Sequence, residues 1–231
     1  MVFVQIPIIS QLHALPQALL IGIEVGLSVA TVALMGYCGL ADPGQAQSGL
    51  DLEQGHVPPR AHKSWLYTRE IRRYDHYCKW VKNVIGLLNH REFVVMLIGL
   101  TSSGVLGLAV DTYLALVMAF KVPWQTCMIL LHLAFCIALL AIEVPMLQIH
   151  IGLISRNELA YEWVSKINYV AFNTTQGDGI PVGVLDVEEY NELFDEFVYD
   201  RERNPWDHGR SVNCWNFWCW PRWPADETGE F

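Results

Sequence analysis

The 231-residue chain is poor in charge, with Asp, Glu, Lys and Arg together at 17% against 52% hydrophobic residues. Soluble domains average about a quarter charged, so a solvated globule and a disordered chain are both disfavoured. Positive charge is scarcer still, at 15 Lys and Arg against 24 Asp and Glu, a formal net charge of −9 that excludes a basic nucleic-acid binder. The six cysteines (Cys38, Cys78, Cys127, Cys136, Cys214, Cys219) include no C-x-x-C pair and are too scattered for a disulfide scaffold. Met1–Ala14 lacks the basic n-region of a secretory signal, and no A-x-A-like cleavage site follows it. Targeting is therefore expected to come from membrane spans.

The charge that is present is segregated. Residues 1–155 hold nine acids and nine bases, whereas 156–231 hold 15 acids against six bases. Three stretches exceed the roughly 20 apolar residues that a bilayer-crossing helix needs. They are 17–41 with one charge (Glu24), 93–120 with one charge (Asp111), and 125–154 with Glu143, His132 and an expected kink at Pro145. Residues 121–125 read as a turn with an interfacial Trp124, joining the last two spans in a hairpin. Buried helices of a soluble core are the competing reading, but too little polar sequence remains to cover them. Carboxyls in a span are expensive, so Glu24, Asp111 and Glu143 either face a cavity or sit neutral or near an end. Residues 56–92 carry eight bases against three acids. The positive-inside rule therefore places 42–92 in the cytosol, the 121–124 turn in the lumen and the tail after Ile154 in the cytosol. Met1–Ser10 is apolar but too short to span, as the stub of a further helix would be. The expected organisation is 1–41 first span, 42–92 cytosolic core, 93–154 helical hairpin and 155–231 cytosolic tail.

Between the first two spans stands Arg73-Tyr74-Asp75-His76-Tyr77-Cys78-Lys79-Trp80-Val81-Lys82-Asn83. Within four residues it supplies a carboxylate, an imidazole and a thiol. In extended chain His76 and Cys78 point to one side, about 6.5–7 Å apart. The imidazole can then lower the thiol pKa and accept its proton, while Asp75 fixes the imidazole tautomer. Three residues alone are equally compatible with a chance trio in a polar loop.

The surroundings add specificity. The stretch resembles the cysteine-rich core of DHHC-type protein S-acyltransferases (palmitoyltransferases). Pro58-Pro59-Arg60 matches the family's Pro-x-Arg element. Trp80-Val81-Lys82-Asn83 followed by Gly86 to Phe93 resembles its run into the third helix. Ile154 to Glu162 is similar to the segment ending in Thr-Thr-x-Glu. Asn204-Pro205-Trp206-Asp207-His208-Gly209 through Asn213 is similar to the C-terminal Asn-Pro-aromatic-Asp-x-Gly-x-x-x-Asn motif. The resemblance covers residues 50–220.

It implies a membrane all-α fold, a transmembrane bundle with three spans in this chain where the family has four. It also implies a small cytosolic core between spans and a cytosolic C-terminal tail. The implied activity is transfer of palmitate from palmitoyl-CoA to protein cysteines by a ping-pong route. Cys78 would be the nucleophile, His76 the general base and Asp75 the residue orienting it. Glu162, Asn204, Pro205, Gly209 and Asn213 would be supporting motif residues, and the acyl chain would lie among the spans. Partners would be palmitoyl-CoA, cytosolic cysteine-containing proteins and membrane lipids, with no nucleic acid. The location would be multi-pass in an endomembrane (Golgi or ER) or the plasma membrane, with the active site cytosolic.

The sequence also departs from the family. Its eight zinc-ligand positions correspond here to Leu50, Glu53, Lys63, Ser64, Tyr67, Glu70, Tyr77 and Val84, none of them Cys or His. Structural zinc takes four N or S ligands, so no zinc is expected, no metal-binding residue is assigned and no cofactor is inferred. An aromatic mini-core of Trp65, Tyr67, Tyr74, Tyr77 and Trp80 and a Lys63–Glu70 ion pair are the expected replacements. Ala160 and Leu159 stand where the family has its two Thr, so Ala160 is not expected to make the contact to Asp75 that the resemblance assigns there. Lys79 replaces the Pro that usually follows the nucleophile. These losses keep a second reading open, a catalytically inactive member acting as a membrane scaffold or binding protein. In the tail, 173–185 reads as a loop, Asp186–Arg203 as an amphipathic helix, and Cys214 to Trp223, with four of the nine tryptophans, as interfacial.

Overall fold

A computed structural model describes residues 15–46, 59–118, 123–172 and 179–222. Residues 119–122, Pro58, Leu50, Glu53 and residues 173–178 lie outside the described residues; of the expected 121–125 turn, 123–125 belong to a helix. The chain forms two compact units, one of 1–40 with 92–149 and one of 41–91 with 150–231.

The first unit consists of α1 (Leu15–Leu40), most of α2 (His90–Met118) and most of α3 (Pro123–Ser155). All three helices are long and apolar enough to cross a membrane. Hydrocarbon offers no partner to a free N–H or C=O, so a spanning segment must satisfy its backbone internally, as a helix does. Helix α3 accordingly continues through Pro145. Leu114 and Ile129 are fully buried against Ile21, Val110 and Ala115. Small residues permit close approach: a Cβ on Gly104 would lie 2.8 Å from Leu140. The outward side chains include Val32, Leu116 and Phe135, the apolar exterior of a membrane bundle.

The second unit is held by short strands. Strands β1 (His62–Lys63) and β2 (Glu70–Ile71) pair antiparallel, as do β3 (His76–Cys78) and β4 (Asn83–Ile85). Ile71, Val84 and Ile85 are fully buried between them. At Gly86 any side chain would collide with Ile71 and the Pro43 carbonyl, which fixes glycine where β4 turns toward α2. The buried centre is thus aliphatic. Trp65 and Trp80 are 78% and 66% exposed, so they do not close the expected aromatic mini-core, and the fully buried residues of the two hairpins are β-branched instead. Lys63 and Glu70 do face each other across β1 and β2, but the Lys63 ammonium donates to the Thr68 carbonyl.

After α3 the chain forms α4 (Ala160–Val164) and a three-stranded antiparallel sheet with β5 (Tyr169–Phe172) between β6 (Gly179–Pro181) and β7 (Phe197–Tyr199). The expected helix over 186–203 is shorter. Asp186 caps α5 (Val187–Glu192) with a capping box, and the chain then passes through a 3-10 turn into β7. Pairing of β7 with β5 overrides the helical spacing of Leu193, Phe194, Phe197 and Val198. The rings of Tyr190, Phe194 and Phe197 instead gather on the Lys166 ammonium, each within 4.7 Å. Within the expected 173–185 loop, the described residues form β6 and a 3-10 turn at Val182–Val184. Helix α6 (Arg210–Cys219) buries Asn213 and Phe217 while Trp215, Trp218 and Trp220 stay exposed.

Candidate active site

All residues of the site belong to the second unit. The β3–β4 register sets His76 opposite Ile85 and Cys78 opposite Asn83, with Lys82 in the left-handed conformation closing the hairpin (φ 55°). The two-residue period of β3 turns His76 and Cys78 to one face. His76 Nδ1 donates to Asp75 Oδ2 at 2.7 Å. His76 also hydrogen-bonds the Cys78 side chain.

Asp75 is the fixed point. It has no exposure to water, and its backbone N–H donates to Ile85 O at 2.9 Å. Its Oδ1 accepts the Ala160 N–H at 2.8 Å, and its carbonyl accepts the Tyr161 N–H at 3.0 Å. Ala160 therefore reaches the aspartate through its backbone, contrary to the expectation drawn from its side chain. It is the first residue of α4, where the N–H has no partner within the helix.

These contacts set the charges. Burial opposes ionisation of Asp75, but interaction with His90, the hydrogen bond and charge of His76, and His150 hold its carboxyl well below the usual carboxylate range. Burial would also keep His76 neutral; the hydrogen bonds to Asp75 and Cys78 outweigh it and raise its pKa to about 9. At Cys78 burial favours the neutral thiol, yet the His76 hydrogen bond and the Val81 and Trp80 amides bring it below its ordinary value. Opposite shifts of base and thiol favour a thiolate–imidazolium pair, the form in which a cysteine attacks an electrophilic carbonyl.

The other expected residues build the wall behind this site. Arg60, with a side chain 3% exposed, donates to both carboxylate oxygens of Glu162 at 2.8 and 2.6 Å and to the Asn157 carbonyl at 2.8 Å. Glu162 also accepts the Leu159 N–H at 2.8 Å, which fixes the entry to α4. Asn157 takes the left-handed conformation (φ 45°) and accepts from Arg73 at 3.0 Å. Asn204 donates to the Arg156 carbonyl at 2.8 Å and Asn213 to the Ser155 carbonyl at 2.9 Å. These two asparagines satisfy carbonyls that the end of α3 leaves open. Pro205 occupies the turn closed by Asp207 N–H to Asn204 O. Gly209 adopts φ 92°, ψ 151°, a region open essentially to glycine alone. Glu162 therefore fixes the entry to α4, and Asn204, Gly209 and Asn213 fix the chain where it meets the end of α3.

Two further residues belong to the site. His90 Nε2 lies 3.9 Å from Asp75 Oδ1, and the His150 ring is 5.8 Å from those of His76 and His90. Asp75, His90 and His150 are all buried and bring three donor atoms within 4.8 Å of one another, a set able to hold a metal ion. In the sequence each is a lone histidine at a helix end, and only the fold unites them. The described positions that correspond to the family's zinc ligands do not fit zinc: Tyr77 faces Val84 across the hairpin, and the Tyr67 hydroxyl donates to Asn83 at 2.6 Å.

Comparison with known proteins agrees with this picture. The profile of the DHHC palmitoyltransferase domain matches residues 52–167, half of the chain. The chain is 27% identical over 183 residues to mouse palmitoyltransferase ZDHHC12, covering 72% of this chain and 54% of that protein. It is 34% identical over 89 residues to human palmitoyltransferase ZDHHC3, covering 29% and 30%. It is 25% identical over 187 residues to palmitoyltransferase AKR1 of Yarrowia lipolytica, covering 65% and 26%. The chain spans about half the length of the ZDHHC12 proteins it matches, and less of the others. With three membrane-length apolar helices and a domain match that encloses the Asp75–Cys78 hairpin, the chain is a membrane protein that belongs to the DHHC palmitoyltransferase family.

Proposed function

We propose that the protein is a protein-cysteine S-palmitoyltransferase that works through an acyl-Cys78 intermediate. The observation that carries the reading is the hydrogen-bonded chain Asp75–His76–Cys78, with a base held at about pKa 9 beside a thiol brought below its ordinary value. The Cys78 thiolate attacks the thioester carbonyl of palmitoyl-CoA. A carbon–sulfur bond forms to Cys78, the bond to the CoA sulfur breaks, and the leaving thiolate takes the His76 proton. Neutral His76 then accepts the proton of a substrate thiol, whose sulfur attacks the acyl-Cys78 thioester. Cys78 leaves as thiolate and the ion pair is restored. Asp75 acts through His76 as a positioning residue.

The excess of bases in 56–92 orients the site to the cytosol by the positive-inside rule, so the substrates are cytosolic cysteines of proteins at an endomembrane or the plasma membrane. Absence of Cys or His at all eight of the family's zinc positions favours the other reading, an inactive scaffold.

Self-acylation separates the two. Detergent-purified protein is incubated with labelled palmitoyl-CoA, as wild type, Cys78→Ala and His76→Ala. Hydroxylamine-labile label that disappears with Cys78→Ala is the expected result. No label on folded wild type selects the scaffold, and label that survives Cys78→Ala refutes the assigned nucleophile.

A further inference from the structure

A second cluster lies within the membrane unit, apart from Cys78. Asp111 on α2 and His132 and Cys136 on α3 are buried and bring one carboxylate oxygen, one imidazole nitrogen and one sulfur within 4.8 Å of one another. His132 Nδ1 stands 2.6 Å from Asp111 Oδ2 and 3.8 Å from Cys136 Sγ. His132 and Cys136, four residues apart, share one face of α3. Glu24 on α1 is also fully buried, neither of its oxygens has a hydrogen-bond partner, and it is within electrostatic range of Asp111 and Cys136. Counted from the helix ends, Glu24, Asp111 and His132 lie seven to nine residues in. At 1.5 Å per residue that is about 10–14 Å along three different helices.

Two simpler readings leave observations over. A Cys-His-Asp nucleophile needs the carboxylate on one ring nitrogen and the thiol on the other; here both meet Nδ1. A plain Asp–His bond between helices leaves Cys136 and the partnerless Glu24 unexplained. Three donors converging from different side chains are the geometry of a coordination site. We propose that Asp111, His132 and Cys136 bind a divalent transition-metal ion inside the membrane-spanning bundle.

The donor chemistry fits. A thiolate, a neutral imidazole and a carboxylate suit zinc-type ions, whose bonds of about 2.0–2.3 Å set tetrahedral ligands about 3.3–3.8 Å apart. The observed separations bracket that range, and widening the Asp111–His132 contact by less than about 1 Å would admit the ion. Asp111 and deprotonated Cys136 carry two negative charges, so a dication makes the trio neutral, the favourable state in a low-dielectric medium. Binding releases the Cys136 proton to solvent. The proposed site lies outside the segment from which the absence of metal is expected. That expectation rested on spacing in 42–92, whereas here His132 and Cys136 stand four residues apart on α3 and only the packing of α2 on α3 brings Asp111 to them.

The test is cobalt loading. Chelator-treated, detergent-purified full-length protein is titrated with Co²⁺. The expected result is one equivalent bound with a thiolate-to-cobalt charge-transfer band and one sulfur scatterer at about 2.3 Å in X-ray absorption. The band should vanish in Cys136→Ser and persist in Cys78→Ser, which separates this site from the hairpin cysteine. Folded wild type that binds no cobalt with sulfur coordination overturns the proposal, as does a band lost with Cys78→Ser. The wild-type absorption measurement decides even where Cys136→Ser does not fold.

Discussion

Asp75→Asn changes one atom type at the most constrained point of the hairpin. The asparagine Oδ1 still accepts the Ala160 N–H that Asp75 receives at 2.8 Å. Its amide then faces His76 Nδ1, 2.7 Å from the present Oδ2, and donates where the carboxylate accepted. His76 must take that donor on Nδ1 and carry its own proton on Nε2, the nitrogen that should receive the thiol proton. The wrong tautomer costs on the order of 10³-fold or more in rate, about 4 kcal/mol of barrier. Charge-assisted hydrogen bonds become neutral ones, partly offset by removal of a buried charge, so the fold should lose only about 1–2 kcal/mol. The assay is the initial rate of self-acylation with labelled palmitoyl-CoA, followed against pH. In wild type the rate should level off below the ordinary thiol range, because Cys78 titrates below its usual value. In Asp75→Asn the residual rate should keep rising toward the ordinary thiol pKa. Self-acylation within about threefold of wild type, with the wild-type pH profile, would refute the tautomer argument.

Other outcomes follow from the same contacts. Ala160→Pro removes only the N–H given to Asp75, since proline is tolerated at the first helical position and Leu159 is already extended. It should slow self-acylation by about tenfold or more while circular dichroism stays unchanged; an unaltered rate would mean that the Ala160 contact does not matter. Glu162→Ala leaves the buried Arg60 guanidinium without its carboxylate and should cost about 3–5 kcal/mol, read as a large drop in thermal midpoint. Gly209→Ala forces a side chain into a conformation open essentially to glycine and should cost about 1–3 kcal/mol by the same measurement. Because folded His76 holds its proton to about pH 9 against an ordinary 6.5, its ionisation contributes stability in full below about pH 6.5 and loses it as pH rises through about 9. The wild-type thermal midpoint should therefore fall more across that window than that of His76→Gln.

What could be read from the chain alone was whatever is local or periodic. Three apolar runs of membrane length specify helices because hydrocarbon leaves the backbone no other partner, and α1, α2 and α3 begin and end within about three residues of the runs. The Asp75–Cys78 segment was legible because extended chain alternates its side chains, so spacing alone turns His76 toward Cys78. Tertiary structure decided everything that joins distant residues. The spacing of 186–203 pointed to one helix, but its second half found hydrogen-bond partners on β5 and became a strand. Aromatic residues in the core suggested stacking, yet the fully buried residues of the hairpins are Ile71, Val84 and Ile85, while Trp65 and Trp80 stay exposed. Ala160 looked unable to reach Asp75 because a sequence displays side chains and hides the backbone N–H that a helix start leaves unpaired. His90 joins His150 beside Asp75, and Asp111 joins His132 and Cys136, only because the consecutive helices α2 and α3 bring their ends or faces together. No spacing rule records such meetings, since the chain between the partners is free to vary in length while the packed contact is not.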